Sequence, residues 1–340
     1  MEMLLGLIKV CLSITGILLN SSVIYITIRA KWLHMPCNKL LAAYEFCMLS
    51  FGINRLFVAR SLILGPQQMS MFQCFCYTAP FLILFVSSFV LMTAIAVDRL
   101  ISVLFPLIYN HLNKKVYFSL VSISLILNAS FHTFLAWKEV EDVSNNKTFT
   151  VKCNGITSTL HKNAIYFMCI TLFFELISIA IYIIIWFLLK NGLRDNFATR
   201  RLFKSLLSIL LLSLFGFTFY TNYFLLSKLI GIPNFWDPKD NLITYIAFQI
   251  ASFFALIACC ANALILFKFS SEYRRAFLRY IPILRHFAKN LADKNGKNQR
   301  PIQQINRKFI CVANDLKKNN ELIKINDSNK IIFIKNNSDP

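Results

Sequence analysis

Charge is scarce in this chain: only 15% of its 340 residues are Asp, Glu, Lys or Arg, with 16 acids against 36 bases. A soluble domain covers itself with charged side chains, so nothing here indicates one. No His, Cys or acid cluster has metal-ligand or nucleophile spacing, which leaves an enzyme, a metal and a cofactor without support. Internal repeats are missing, as are mid-depth Gly or Pro breaks in paired helices, and both argue against a secondary transporter.

What is abundant is apolar: 56% of the residues, with 33 Phe. Stretches long enough for the ~30 Å hydrocarbon core of a bilayer run over 3–28, 39–63, 74–104, 116–137, 163–189, 203–228 and 241–267. The fold class this predicts is an all-α membrane protein, a seven-transmembrane helix bundle. The first stretch follows Glu2 with no basic residue before it, and it is longer than the apolar part of a secretory signal, so it reads as an uncleaved signal-anchor. Residues 1–285 form the membrane domain, and 286–340 are expected to be a basic, mostly disordered tail.

An odd number of spans puts the two ends on opposite sides, and basic residues choose the side. With the N-terminus outside, 27 of the 36 Lys and Arg fall in cytoplasmic loops or the tail. The expected topology is therefore N-out and C-in, in the plasma membrane. The formal charge of +20 then reflects topology and attraction to anionic lipid rather than nucleic-acid binding, for which no motif is present.

Three features carry chemistry. Asp98-Arg99-Leu100 lies at the inner end of the third span, where an acid and an arginine are too costly in lipid to be idle. Cys74, Cys76 and Cys153 lie on the oxidising side. Cys74 opens the third span and Cys153 sits in the loop before the fifth, so a bridge would pin that loop over the bundle. Cys76 makes the pairing ambiguous, with Cys74 favoured. Beyond the seventh span, Tyr273, Phe277, Tyr280 and Ile281 alternate with Arg274, Arg275 and Arg279. That spacing predicts a short amphipathic helix in the headgroup region, capped by Ser270 or Ser271 and stopped before Pro282. Arg55 and Lys9, near span ends, are expected to snorkel to an interface.

The run Ala94 to Tyr109, with Asp98-Arg99-Leu100 followed by Leu104-Phe105-Pro106 and Tyr109, resembles rhodopsin-like G-protein-coupled receptors. Within them it is most similar to nematode serpentine chemoreceptors of the Srsx type. Asn20 and Val23 resemble the first-span signature of that superfamily. Asn38, Leu41, Ala42 and Glu45 resemble the second, with Glu for Asp, and Asn262 occupies the Asn of the seventh. The segment Ser271 to Phe277 resembles the Srsx sequence just after span seven.

This resemblance implies a G-protein-coupled chemoreceptor whose partners are a heterotrimeric G protein, a small-molecule or peptide ligand, and membrane lipid. Asp98, Arg99, Leu100 and Pro106 are then the coupling region, with Asp98 holding Arg99 at rest. Asn20, Glu45, Ser88 and Asn262 form a polar core. Ligand-pocket candidates are Phe81, Ser87, Glu175, Phe217, Tyr220, Tyr223, Tyr245 and Gln249. Phe81 stands where aminergic receptors have Asp, and no Lys lies between Tyr245 and Phe267, so biogenic amines and light are disfavoured. Leu266 and Ala263 replace the family's Tyr and Pro in span seven. With no proline in the last four spans, bends there rest on Gly216 or on Ser and Thr. Asn146 begins a glycosylation sequon. A channel subunit of insect-odorant-receptor type is the competing reading, and it requires the opposite orientation.

Overall fold

The computed structural model describes residues 2–65, 68–111, 113–144, 150–153, 164–190 and 242–282, with 286, 323–325 and 331–333. Of the expected sixth span it describes 207–209, 211–212, 215–217, 219–220 and 223, all helical. In chain order the helices are α1 (Glu2–Arg29), α2 (Pro36–Leu64), α3 (Met71–Leu104), α4 (Pro106–His111), α5 (Lys114–Ser144), α6 (Ala164–Lys190), α7 (Leu242–Phe269) and α8 (Ser271–Tyr280). Six helices among the described residues are long and apolar enough to cross a membrane: α1, α2, α3, α5, α6 and α7. Their positions match six of the seven stretches read from the sequence, and most of the remaining one, 203–228, lies outside the described residues.

The packing is that of a helix bundle in lipid. Large apolar side chains point outward, including Leu18 (66% exposed), Leu127 (66%) and Phe187 (56%). Meanwhile Lys9, Asn20, Glu45, Arg55, His132, Glu139 and Glu175 are buried inside. A water-soluble core inverts this distribution, because exposed apolar surface on that scale needs a non-aqueous neighbour. The longest helix, α3, packs against α2, α5 and α6, while α1 packs against α2 and α7. Burial of Lys9 and Arg55, at 3% and 8% exposure, corrects the expectation that they snorkel to headgroups.

Local chemistry sets the ends of the elements that position the site. Ser70 caps α3: its hydroxyl accepts from the Gln73 N–H, and the Gln73 side chain accepts from the Ser70 N–H. This reciprocal box satisfies two otherwise orphaned donors. Pro106 opens α4, where its missing N–H costs nothing. Gly216 meets α7 so closely that a Cβ there would lie 2.7 Å from both the Ala258 Cβ and the Phe254 carbonyl oxygen. Close approach of two helices therefore explains this glycine.

At the end of the bundle where α3 begins, Cys74 and Cys153 form a disulfide with a Cα–Cα distance of 5.7 Å, and Cys76 is free. Two short strands reinforce it. β1 (Gln68–Ser70) pairs antiparallel with β2 (Thr150–Lys152), with Met69 opposite Val151. Two tethers thus fix the segment before α6 to the start of α3.

The opposite end carries α8, capped by Ser270, whose hydroxyl accepts from the Tyr273 N–H at 3.4 Å. Its apolar face buries Tyr273 and Phe277. Its basic face meets Trp32, on a 3-10 turn over Lys31–Leu33: Arg275 and Arg279 lie 5.5 and 5.3 Å from that ring, and Tyr280 stacks on it at 6.0 Å. Nothing in the periodicity singled out Trp32.

Met1–Tyr280 is one compact unit, and Ile281–Pro340 is a second. Among the described residues of the second, Ile323–Ile325 (β3) pairs antiparallel with Ile331–Phe333 (β4). The sequon at Asn146 and the basic residues Arg200, Arg201 and Lys204 lie outside the described residues.

Candidate functional site

At the α8 end of the bundle, Asp98 is almost fully buried and Arg99 lies beside it, with Nη2 2.6 Å and Nε 3.1 Å from the same carboxylate oxygen. The pairing of neighbours was expected. A third member was not assigned this role: the Tyr109 hydroxyl, on α4, donates to both Asp98 oxygens at 3.1 and 3.2 Å. Burial, together with the Asp98 charge, raises the Tyr109 hydroxyl well above the usual phenol range, so it stays a donor. The resting restraint on Arg99 therefore does not rest on Asp98 alone, because Asp98 is itself held by the loop helix. Leu100 and Pro106 are half-buried on either side of this triad.

Midway along the bundle, Asn20, Glu45 and Asn262 converge from α1, α2 and α7, all fully buried. The Asn20 amide, turned to suit its neighbours, donates to Glu45 Oε2 at 3.0 Å and to the Cys259 carbonyl at 3.2 Å. Asn262 donates to the same oxygen at 3.5 Å. Ser88 does not join them. Its hydroxyl donates to the Phe85 carbonyl at 2.6 Å within its own helix, as hydroxyls in apolar helices commonly do. The expected four-residue core is a three-residue core, with Glu45 Oε1 and the Asn262 carbonyl oxygen lacking partners among the described residues.

Toward the disulfide end the pocket candidates divide. Phe217 is buried in an aromatic cluster, 5.3 Å from the Phe51 ring and 5.8 Å from Phe85, whereas Phe215 is exposed. Tyr220 and Tyr223 lie against Phe248 at 5.7 and 6.3 Å, and Phe81 lies 5.8 Å from Phe57. Ser87 donates back to the Ile83 carbonyl, which leaves it little reach toward a ligand. Glu175 and Tyr245 are buried. Gln249 accepts from the Lys9 ammonium across α1 and α7.

Lys9, Ser13 and Asn20 share one face of α1, whereas on α7 Gln249 meets Lys9 and Asn262, on another face, meets Glu45. Along that face of α1 the polar contacts run from Lys9, which meets Gln249, to Asn20, which meets Glu45. A separate groove of about 560 Å³ between α3 and α5, lined by Phe75, Ile126, Phe134 and Trp137, is apolar and open to the outside of the bundle.

The bundle thus carries a restrained charge at one end, aromatic and polar side chains at the other, and a polar cluster between. The family of serpentine-type seven-transmembrane GPCR chemoreceptors called Srsx matches residues 13–281. The chain belongs to that family. Comparison with curated proteins gave no match. As a multi-pass membrane chemoreceptor of this family, it carries the Asp98-Arg99-Tyr109 triad and the Cys74–Cys153 bridge inside the matched region, while residues 282–340 lie beyond it. Of the expected site residues, Asn20, Glu45 and Asn262 meet, while Ser87 and Ser88 bond within α3. Tyr109, Trp32, Lys9 and Arg55 acquire partners that sequence reasoning missed; for the two cations the signal was a charge within an apolar stretch.

Proposed function

We propose that this chemoreceptor binds a small molecule or peptide in the half of the bundle nearest the Cys74–Cys153 bridge, and activates a heterotrimeric G protein through Asp98, Arg99 and Leu100, with Pro106 setting the adjoining helix. In this reading the receptor lies in the plasma membrane with its N-terminus outside and its tail in the cytoplasm. Agonist shifts a pre-existing equilibrium toward a state in which Arg99 is released and the inner end opens.

The observation that carries this is the restraint on Arg99. A guanidinium that cannot lose its charge is folded sideways onto a buried carboxylate, and a tyrosine from a neighbouring helix holds that carboxylate. Such an arrangement stores a cation at the bundle end for exchange with another partner. The disulfide supports the orientation, since disulfides persist on the oxidising side.

The test is reconstituted receptor assayed for nucleotide exchange on a G protein. Arg99→Ala should keep surface expression and abolish agonist-driven exchange, and an Arg99→Ala receptor that still exchanges at the full rate sinks the mechanism. A tag before Met1 should be reached by antibody on intact cells and one after Pro340 only after permeabilisation. The reverse pattern would favour a channel subunit of opposite topology.

A further inference from the structure

Two cations lie inside the disulfide half of the bundle with no acid paired to them among the described residues. Lys9 of α1 is 3% exposed and Arg55 of α2 is 8% exposed, so neither reaches lipid headgroups. Among the described residues neither forms an ion pair; the salt bridge recorded there is that of Arg99 and Asp98. Lys9 donates to the Gln249 side-chain carbonyl and lies 5.5 Å from the Phe253 ring. Arg55 lies between the Phe51 and Tyr220 rings, at 4.6 and 4.8 Å, and its buried Nε–H has no acceptor. Both cations reach α7: Arg55 through Tyr220, whose ring lies 5.7 Å from Phe248, and Lys9 through the next residue, Gln249.

An unpaired buried charge is among the costliest features a fold can keep, and two like charges in one chamber are worse. Aromatic faces offset only part of that cost. Among the described residues, the donors left over in this half of the bundle are the Arg55 Nε–H, the remaining ammonium protons of Lys9, and the amide nitrogen of Gln249, whose oxygen is already used. A planar oxyanion satisfies a guanidinium fork and an adjacent ammonium together. A singly charged carboxylate costs less to strip of water than a doubly charged phosphate, and the surrounding Phe51, Tyr220 and Phe253 suit an apolar body attached to it.

We propose that Lys9, Arg55 and Gln249 are the recognition group for a carboxylate, and that the ligand of this receptor is an acid, either a small organic acid or a peptide with a free C-terminus. This rests on the receptor reading above for its signalling consequence but not for binding. Lys9 and Asn20 lie on one face of α1, and Asn20 donates to Glu45. Along α2, Arg55 and Glu45 are ten residues apart, about 15 Å of helix.

The experiment uses the purified full-length receptor in lipid nanodiscs and reads thermal unfolding. The probes are a panel of aryl and alkyl carboxylic acids, each paired with its primary amide, and short aromatic peptides paired with their C-terminal amides. At least one acid should raise the unfolding temperature while its amide, binding on the order of tenfold or more weaker, does not. Small acids or peptides as the active arm identifies the source. Arg55→Met and Lys9→Met should erase the shift.

Among the described residues Arg55 makes no hydrogen bond that Met would break, so ligand-free Arg55→Met should unfold at a higher temperature than the natural receptor, because it removes an uncompensated charge. Equal shifts by acid and amide, no shift with any member of the panel, or a lower unfolding temperature for ligand-free Arg55→Met would overturn the proposal. Nucleotide exchange on the same preparations separates the two claims. Acid-specific stabilisation without exchange leaves the anion site standing and removes the receptor mechanism, whereas exchange driven only by neutral compounds does the opposite.

Discussion

Replacing Tyr109 by Phe removes one hydroxyl and leaves the ring, so it isolates the contact between α4 and Asp98. That hydroxyl donates to both carboxylate oxygens, at 3.1 and 3.2 Å, in a site that is buried at Asp98 and half-open at Tyr109. A hydrogen bond to a charged acceptor contributes about 1.5 to 3 kcal/mol when its partner cannot be replaced. Water can reach the tyrosine side, so the lower end, about 1.5 kcal/mol, applies. If the contact exists only in the resting state, its loss shifts the resting-to-active ratio roughly tenfold. A receptor that is active about 1% of the time unliganded would then be active about 10% of the time.

Basal nucleotide exchange by reconstituted receptor, normalised to receptor density, should rise by up to that factor while unfolding temperature changes little. Asp98→Asn should raise it as well, and adding Tyr109→Phe to Asp98→Asn should contribute little more, because the tyrosine acts through the carboxylate. An unchanged basal rate in Tyr109→Phe at normal expression would refute the restraint.

Cys74→Ala and Cys153→Ala should each lower surface expression, since the bridge closes a long loop and contributes about 2 to 4 kcal/mol, whereas Cys76→Ala should not; peptide mapping that joins Cys76 to Cys153 contradicts this. Glu45→Ala removes the acceptor shared by Asn20 and Asn262, costs about 1 to 3 kcal/mol, and should alter agonist-driven exchange more than surface level. Collapsed expression with normal signalling by the surviving molecules makes Glu45 structural. Gly216→Ala places a methyl 2.7 Å from Ala258 and the Phe254 carbonyl, so overpacking of about 1 to 3 kcal/mol should lower the unfolding temperature, and a neutral result shows that the two helices can separate freely.

Much of this protein was legible along the chain because membrane insertion is a one-dimensional problem. Lipid demands about twenty apolar residues per crossing whatever the neighbours do, so the helices appear in the composition before any packing is known. The amphipathic helix Ser271–Tyr280 was equally readable, since its buried Tyr273 and Phe277 follow the helical period. The pairing of Arg99 with Asp98 required only adjacency.

Tertiary structure decided what depends on the rotation and approach of helices distant in sequence. Ser88 carried the right residue type at the right depth, yet its hydroxyl satisfies itself within α3 and leaves Glu45 to Asn20 and Asn262. Lys9 and Arg55 sat near enough to span ends to reach water, and only packing against α7 and the aromatic cluster turned them inward. Tyr109 became a partner of Asp98 because α4 folds back beneath α3, a turn that periodicity does not encode. The sequence alone determined which segments enter the membrane, because that cost is paid residue by residue, whereas the three-dimensional fold decided which polar groups meet, because a hydrogen bond depends on ångström placement of two separate helices.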